Sequence, residues 1–331
     1  MIQPIFDRVD CGIPLSLNDA VSLLSVPNLS PDYYALLAKA SEISKREFQN
    51  RGYIFAQIGL NAAPCSGNCK FCSLASTNQT FTTVSSKSPK EILQEISYID
   101  FSRVTALFLM TTADYDSQEF LKIGSRVREA IPNSIALVAN RGDFDSSYAR
   151  QLKSAGFTGA YHIVRLREGI DTDISPEQRI KTLNAIVEAG LRLYYCIEPI
   201  GPEHTYEELA AEMLRAREYH VDVMAAMRRV SVPGTAFEHS EMISDIEMAK
   251  IVAVTRMVAM PRISMNVHEP LSTAMLAGVN QLYAEIGVNP RDTSLKTETS
   301  RGFSVSDAEQ MLRSAGYLPC IEEQHLRSKS R

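Results

Sequence analysis

Cys65, Cys69 and Cys72 stand in the run Ala63-Pro64-Cys65-Ser66-Gly67-Asn68-Cys69-Lys70-Phe71-Cys72, a C-x3-C-x2-C triplet on one short stretch. Thiolates at such spacing bind metal. A cuboidal 4Fe-4S cluster normally takes four cysteines, so a lone triplet implies that the fourth iron is held by something else. Structural zinc closes its tetrahedron with four ligands, and no histidine or fourth cysteine stands near enough in sequence to complete one. Three thiols cannot all pair as disulfides. The spacing therefore points to an iron-sulfur cluster with one iron open to a non-protein ligand, and that iron is where chemistry would take place.

The triplet resembles the hallmark of the radical S-adenosylmethionine (SAM) superfamily, which places an aromatic residue just before the last cysteine, here Phe71. The resemblance implies that SAM chelates the open iron through its amino and carboxylate groups. An electron from the reduced cluster would then cleave it to methionine and a 5'-deoxyadenosyl radical, which abstracts hydrogen from an unactivated carbon. It also implies a reducing partner such as a flavodoxin or ferredoxin, and sensitivity to oxygen.

Composition suits such an enzyme. With 331 residues, 45% of them apolar, the chain can bury one large barrel core and carry extensions. A net charge of -5 without any lysine or arginine run argues against a nucleic-acid surface. Small-molecule or carrier-bound substrates and partner proteins are the expected company. No stretch of about eighteen apolar residues occurs, and the start Met1-Ile2-Gln3-Pro4-Ile5-Phe6-Asp7-Arg8 lacks the basic and apolar pattern of a signal peptide. The expectation is a cytoplasmic protein with no membrane segment, in keeping with the reducing compartment that iron-binding thiolates require.

The elements that must hold the cysteines read as repeated βα units. Strands are expected at 54-60, 104-110, 135-139, 159-164, 191-198, 221-227, 262-266 and 280-284. Helices are expected between and after them at 89-98, 117-130, 145-155, 175-189, 205-219, 244-259 and 270-278. Eight such units make an α/β protein of the closed (β/α)8, TIM-type class. Ser88-Pro89 and Ser175-Pro176-Glu177 mark helix starts, and Ser244 with Glu247 reads as a capping box. Amphipathic stretches at 15-24 and 31-49 form an N-terminal helical extension over 1-50 that would cap the barrel. The barrel runs over 51-290, and a short helix near 305-315 belongs to a C-terminal extension over 291-331.

In barrel enzymes the site lies at the C-terminal ends of the strands, and the cysteines directly follow the first strand. From roughly residue 50 to 318 the order of segments resembles the biotin synthase branch, which also holds the HydE-type hydrogenase maturase and methylornithine synthase. The resemblance places Thr111, Thr112 and Asp114, in Leu109-Met110-Thr111-Thr112-Ala113-Asp114, where the family has a Gly-Gly-Glu-like turn that receives the SAM amino group; the glycines are absent here. It makes Arg165 and Glu168, in Tyr161-His162-Ile163-Val164-Arg165-Leu166-Arg167-Glu168-Gly169, candidates for SAM contacts, with Arg167 equally readable as a surface ion pair. Arg179 aligns with a family arginine that pairs with the SAM carboxylate, which a guanidinium matches bidentately. Glu198 shares a strand face with Cys196 and Ile200 and would orient substrate or hold ribose. Its plain alternative is a buried acid paired with Arg228 or Arg229.

Val232-Pro233-Gly234-Thr235-Ala236 looks like the branch's Pro-Gly-Thr-Pro turn, and Ala277-Gly278-Val279-Asn280 is similar to its Ala-Gly-Ala-Asn signature. Asn266, His268 and Glu269 end the seventh strand, with His268 either a proton carrier or structural. Biotin synthase holds a second cluster on interior strands, but the matching positions here read Phe108-Leu109-Met110 and Ala136-Leu137-Val138. A second iron-sulfur cluster would need Cys11, Cys196 and Cys320 to meet; otherwise they are buried thiols packed as small hydrophobes. The favoured reading is a SAM-cleaving enzyme of cofactor or unusual amino-acid biosynthesis, its transferase, lyase or mutase subclass open, with substrate near Glu198, Arg228 and Asn266. A component of a two-protein sulfur-insertion system and a noncatalytic iron-sulfur carrier or maturation subunit are the alternatives.

Overall fold

A computed structural model describes residues 2-78, 84-285 and 303-320. Eight parallel strands close on themselves in the order β1 (Arg51–Gly59), β4 (Ala106–Met110), β5 (Ala136–Asn140), β6 (Gly159–Tyr161), β7 (Arg192–Ile200), β8 (Val223–Arg228), β9 (Ser264–His268) and β10 (Gln281–Glu285), with β10 returning to β1. The expected (β/α)8 barrel is therefore the architecture. The end of the barrel segment at 290 lies outside the described residues.

Each strand alternates between lumen and helix layer, as a pleated strand must. On β1, Tyr53 and Phe55 join an inner aromatic cluster, while Ile54, Ala56 and Ile58 belong to the outer core under the helices. Phe108 packs 5.2 Å from both Tyr194 and Tyr283 by ring centroids. These rings plug the barrel's middle and form a floor beneath its C-terminal mouth.

The outer ring runs α4 (Pro89–Ser97), α5 (Ser117–Ala130), α6 (Ser146–Ser154), α7 (Pro176–Glu188), α8 (Tyr206–Glu218), α9 (Asp245–Ala259) and α10 (Ser272–Met275). Ser88 and Glu91 form a reciprocal capping box, and the Ser175 side chain accepts from the Gln178 amide. The box expected at Ser244 is only half made: its hydroxyl accepts from the Glu247 amide, but the Glu247 carboxylate is drawn away by Asn28, Tyr206 and Lys250. The helix expected over 270-278 shrinks to four residues, since Pro270 lacks a donor N–H and Gly278 turns to a positive φ of 90°. β6, the fourth barrel strand, stops at Tyr161, short of the expected 164, so the segment from His162 onward forms a charged loop.

Two expectations about the extensions change. Three N-terminal helices form, α1 (Gln3–Asp10), α2 (Leu17–Leu24) and α3 (Pro31–Glu47), the first of them unforeseen. They do not cap the mouth: α2 packs on α8 and α9, and α3 on α9, so the extension lies against the outer ring. Gly278 permits this contact, because a Cβ there would meet the Ala40 carbonyl at 2.7 Å, and the Ser44 hydroxyl donates to the Gly278 carbonyl. At the other end, α11 (Val305–Ser314) leads into a two-residue β11 (Leu318–Pro319) that pairs with Arg51 and Gly52 of β1. A small hairpin of β2 (Asn61–Ala62) and β3 (Ser85–Ser86) flanks the cysteine loop. Neither short pairing carries enough residues to show a periodic pattern in sequence.

Candidate active site at the barrel mouth

The cysteine loop is fastened from two sides. On one, Asp114 accepts from both the amide and the hydroxyl of Ser66, at 2.6 Å each. Asn61 exchanges two hydrogen bonds with Thr112, one to its hydroxyl and one from its amide. The turn at 111-114 is thereby bolted to the loop's entry and its apex. On the other side, the segment after β6 holds it: Asn68 donates to Asp173, the Asp173 amide donates to the Gly67 carbonyl, and Lys70 pairs with Asp171 at 3.0 Å. Net local rigidity is what a cluster ligand set needs.

Cys65, Cys69, Phe71 and Cys72 line a cavity of about 1120 Å³, its open mouth included, together with Thr111, Thr112, Arg165, Arg179 and Glu198. Those nine of the expected site residues are thus brought together. Two are not. Asp114 is exposed on Ser66 and does not reach the cavity. Glu168 stands behind the wall, its side chain wholly buried, and serves the arginines instead. No described cysteine forms a disulfide. Among the described residues no three cysteine, histidine or acid side chains converge as they would on a single ion; in a cluster each thiolate takes a different iron, so convergence is not what it asks. Burial lifts the Cys69 thiol to about 12, against the pull of nearby Arg165, so this sulfur becomes a thiolate ligand only when bound metal adds positive charge.

The charged segment after β6 forms one continuous chain of partners. Glu168 accepts from the Arg165 amide at 2.9 Å, from Thr172 at 2.7 Å and from Arg179 Nε at 3.2 Å. Arg179 also donates to Asp143 at 3.4 Å, and Asp143 lies 3.0 Å from His162 Nε2. Burial pulls His162 down to about 4, with Asp143 opposing, so the ring is neutral near pH 7. Burial raises the Asp143 carboxyl, but His162 and Arg179 outweigh it and hold the group below its ordinary value. Arg165 approaches Glu198 at 3.4 Å, and the Tyr161 hydroxyl donates to Glu198 at 2.8 Å.

This corrects the partner expected for Glu198. Arg228 pairs with Asp245, and Arg229 with Glu203, so neither reaches it. Arg228 also stays outside the cavity, which removes it from the expected substrate region, whereas Asn266 and His268 line it. Cys196 shares the lumen with Glu198, but the β7 register shifts between Ile197 and Ile200, and Ile200 joins the outer core. The glycine missing from the 111-114 turn lies on the neighbouring loop: a Cβ on Gly142 would stand 2.8 Å from the Ala113 Cα, so this residue allows the close approach.

The three remaining cysteines do not assemble. Cys11 is exposed at the end of α1, Cys196 is buried mid-barrel, and the Cys320 amide donates to Gly52 at the opposite end of β1 from the cysteine loop. Sequence reasoning missed Gln57, Arg141 and Tyr283 as lining residues. Strict alternation on β1 and β10 was the signal that could have found the first and last.

Whether these residues fit a polar cofactor is answered by their unmet hydrogen bonds. Thr111 Oγ1, Arg165 Nε and Nη1, and Asn266 Oδ1 are all buried without a hydrogen-bond partner, and all belong to residues lining the cavity. Such groups are rarely left unpaired in a finished site. A zwitterionic, nucleoside-bearing ligand against the thiols would meet them.

No family model matches the chain. It is 23% identical over 308 residues to biotin synthase of Carboxydothermus hydrogenoformans, covering 86% of this chain and 89% of that one. With biotin synthase of Desulforudis audaxviator it shares 25% over 266 residues, or 78% and 80% of the two chains. Among solved structures, methylornithine synthase (PylB) superposes with a TM-score of 0.81 at 17% identity, over 95% of this chain and 97% of that one. The FeFe-hydrogenase maturase HydG from Carboxydothermus hydrogenoformans does so with 0.77 at 17%, over 97% and 79%.

Barrel, cysteine loop and relatives all agree with the resemblance to the radical SAM superfamily. The similarity supports the branch of biotin synthase and methylornithine synthase, and such relatives imply a 4Fe-4S cluster and SAM. Among the described residues, no helix is long and apolar enough to cross a membrane.

Proposed function

We propose that this chain reductively cleaves SAM at a 4Fe-4S cluster and uses the resulting 5'-deoxyadenosyl radical to take hydrogen from a small substrate of cofactor or unusual amino-acid biosynthesis. The observation that carries the reading is the opening of Cys65, Cys69 and Cys72 onto the same cavity as the unpartnered Thr111 and Arg165 groups. Cluster and SAM, when bound, supply the electron and the carbon radical.

The chain's own residues do the rest. The three thiols hold the irons, while Asp114, Asn61, Asp171 and Asp173 keep their loop from shifting. Arg165 and Arg179 offer guanidinium donors to the SAM carboxylate, and Glu168 fixes both at the same time. Phe71, Leu74, Met110 and Ile174 give the cavity apolar walls that keep water from a radical. Phe108 and Tyr283 close its floor.

The test is anaerobic reconstitution with iron and sulfide followed by a dithionite assay for 5'-deoxyadenosine. Wild type is expected to hold about four irons per chain and to form 5'-deoxyadenosine. A Cys65→Ala, Cys69→Ala, Cys72→Ala variant is expected to lose both the iron and the cleavage. Abundant cluster with no SAM cleavage in wild type rejects the enzyme reading in favour of an iron-sulfur carrier.

A further inference from the structure

The segment that carries Arg165 keeps the register of the barrel after β6 has ended. The His162 amide donates to the Tyr194 carbonyl at 3.1 Å and the Leu166 amide to the Glu198 carbonyl at 2.9 Å, at the same offset along β7. The rung between them, where that register would set the Val164 amide against the Cys196 carbonyl, is made differently. Val164 donates at 3.3 Å to the side-chain hydroxyl of Tyr195. That hydroxyl donates in turn to Glu212 Oε2 on α8 at 2.6 Å, and the Glu212 carboxylate accepts from Arg215 Nε at 3.1 Å.

Three consecutive amides are thereby fixed: Val164 by the Tyr195 hydroxyl, Arg165 by Glu168 at 2.9 Å, and Leu166 by the β7 backbone. The first of these anchors lies on the far side of the strand from the cavity. Tyr194 belongs to the inner aromatic cluster, and the alternation of β7 puts Tyr195 in the outer core, 1% exposed, with Glu212 7% exposed beside it. Neither is among the residues that line the cavity, whereas Arg165 is. Val164 is itself 4% exposed, and a buried amide stripped of its acceptor costs more than the net worth of the bond. Losing the hydroxyl therefore pushes this segment, and the arginine on it, toward another course.

We propose that Tyr195, oriented by Glu212, is a positioning residue for Arg165. Its hydroxyl sets the path of the chain from His162 to Leu166, and through it the affinity of the site for the SAM carboxylate, without touching the cofactor. The inference rests on the reading of Arg165 as a donor to that carboxylate and adds what holds the arginine in place.

The test uses the anaerobically reconstituted protein, with SAM affinity from equilibrium dialysis and 5'-deoxyadenosine formation under dithionite. Tyr195→Phe is expected to hold as much iron as wild type and to bind SAM about tenfold more weakly, the scale of one hydrogen bond. Its rate at saturating SAM is expected to fall by less than about twofold, the mark of lost binding rather than lost chemistry. Arg165→Ala is expected to weaken SAM binding by itself, and adding Tyr195→Phe to it is expected to cost nothing more, because two residues that act through one contact are not additive. A Tyr195→Phe protein that binds SAM as wild type does overturns the proposal, and so does one that weakens binding equally with and without Arg165. Glu212→Gln keeps an acceptor for the hydroxyl but removes its charge; it is expected to give a smaller loss that also vanishes without Arg165, and it decides by the same two criteria should the phenylalanine variant not fold. Wild type that binds SAM but never forms 5'-deoxyadenosine refutes the radical reading alone, since the affinities still decide this one.

Discussion

The two walls of the mouth are both polar and buried, yet they are built on opposite principles. Around β6 and α7, each charge has been given a counter-charge by the protein: Arg165 with Glu198, Arg179 with Glu168 and Asp143. Around β9 and β10, Ser264, Asn266, Gln281 and Glu285 all carry buried polar atoms with no partner. Charges that are already paired hold a wall's shape before any ligand arrives, and the Arg165 N–H groups still without an acceptor are left for one. Unmet groups remain on both walls, Thr111 and Arg165 on one and Asn266 and Gln281 on the other, but the first is also held by ion pairs.

The sharpest way to break the contrast is to unbalance the satisfied wall. Glu168→Ala leaves two buried guanidinium groups without their shared carboxylate and is expected to cost about 3 to 5 kcal/mol of folding stability in urea unfolding. A loss under 1 kcal/mol would mean that the network is not preorganised.

Acid offers the next largest effect. His162 is held near 4 by burial, against an ordinary 6.5, so the unfolded chain binds its proton first as pH falls. Stability is therefore highest above about 6.5 and declines toward pH about 4, by up to about 3 kcal/mol for this one group. His162→Asn should flatten the unfolding free energy across that window. Asp143 is depressed, so its own contribution is present above its unfolded pKa and is lost only at still lower pH.

The smallest effect has the opposite sign and tests the wall around β9 and β10. Gln281 is fully buried, and neither polar atom of its side-chain amide has a partner. Gln281→Leu keeps the volume and removes an unmet amide, so a gain of about 1 kcal/mol in melting or urea experiments is expected. A clear loss would show that the amide is already satisfied.

Much of the barrel could be read from the chain because buried parallel strands are continuous apolar runs, and all eight appear where those runs lie. The cysteine loop was equally plain, since its three thiols stand within eight residues of one another and open onto one cavity. Partnership was harder to read. Arg228 on the neighbouring strand pairs in register with Ile200, two residues past Glu198, but past the early end of β6 it is Arg165 that approaches Glu198. Asp114 was expected to hold the cofactor by resemblance to the family's Gly-Gly-Glu-like turn, whereas its carboxylate accepts from Ser66. Gln281 and Glu285 share the β10 alternation that marks Tyr283, but alternation alone does not tell a buried polar residue from one on a solvated face. Asn280, in contrast, was flagged by resemblance, and its role is structural: it receives the Met265 amide and donates to the Arg51 carbonyl, tying β9, β10 and β1 together.

That tie has a counterpart in the short pairing of β11 with the start of β1. Gly52 sits so tightly under Leu312 and Tyr317 that a Cβ would lie 3.1 Å from each. The last described segment therefore buckles the barrel where its first and last strands meet, and those same two strands carry Gln57 and Glu285 at their far ends. The barrel's seam is thus clasped at its base by packing on a residue without a side chain, while its other end lines the cavity through Gln57 and Tyr283.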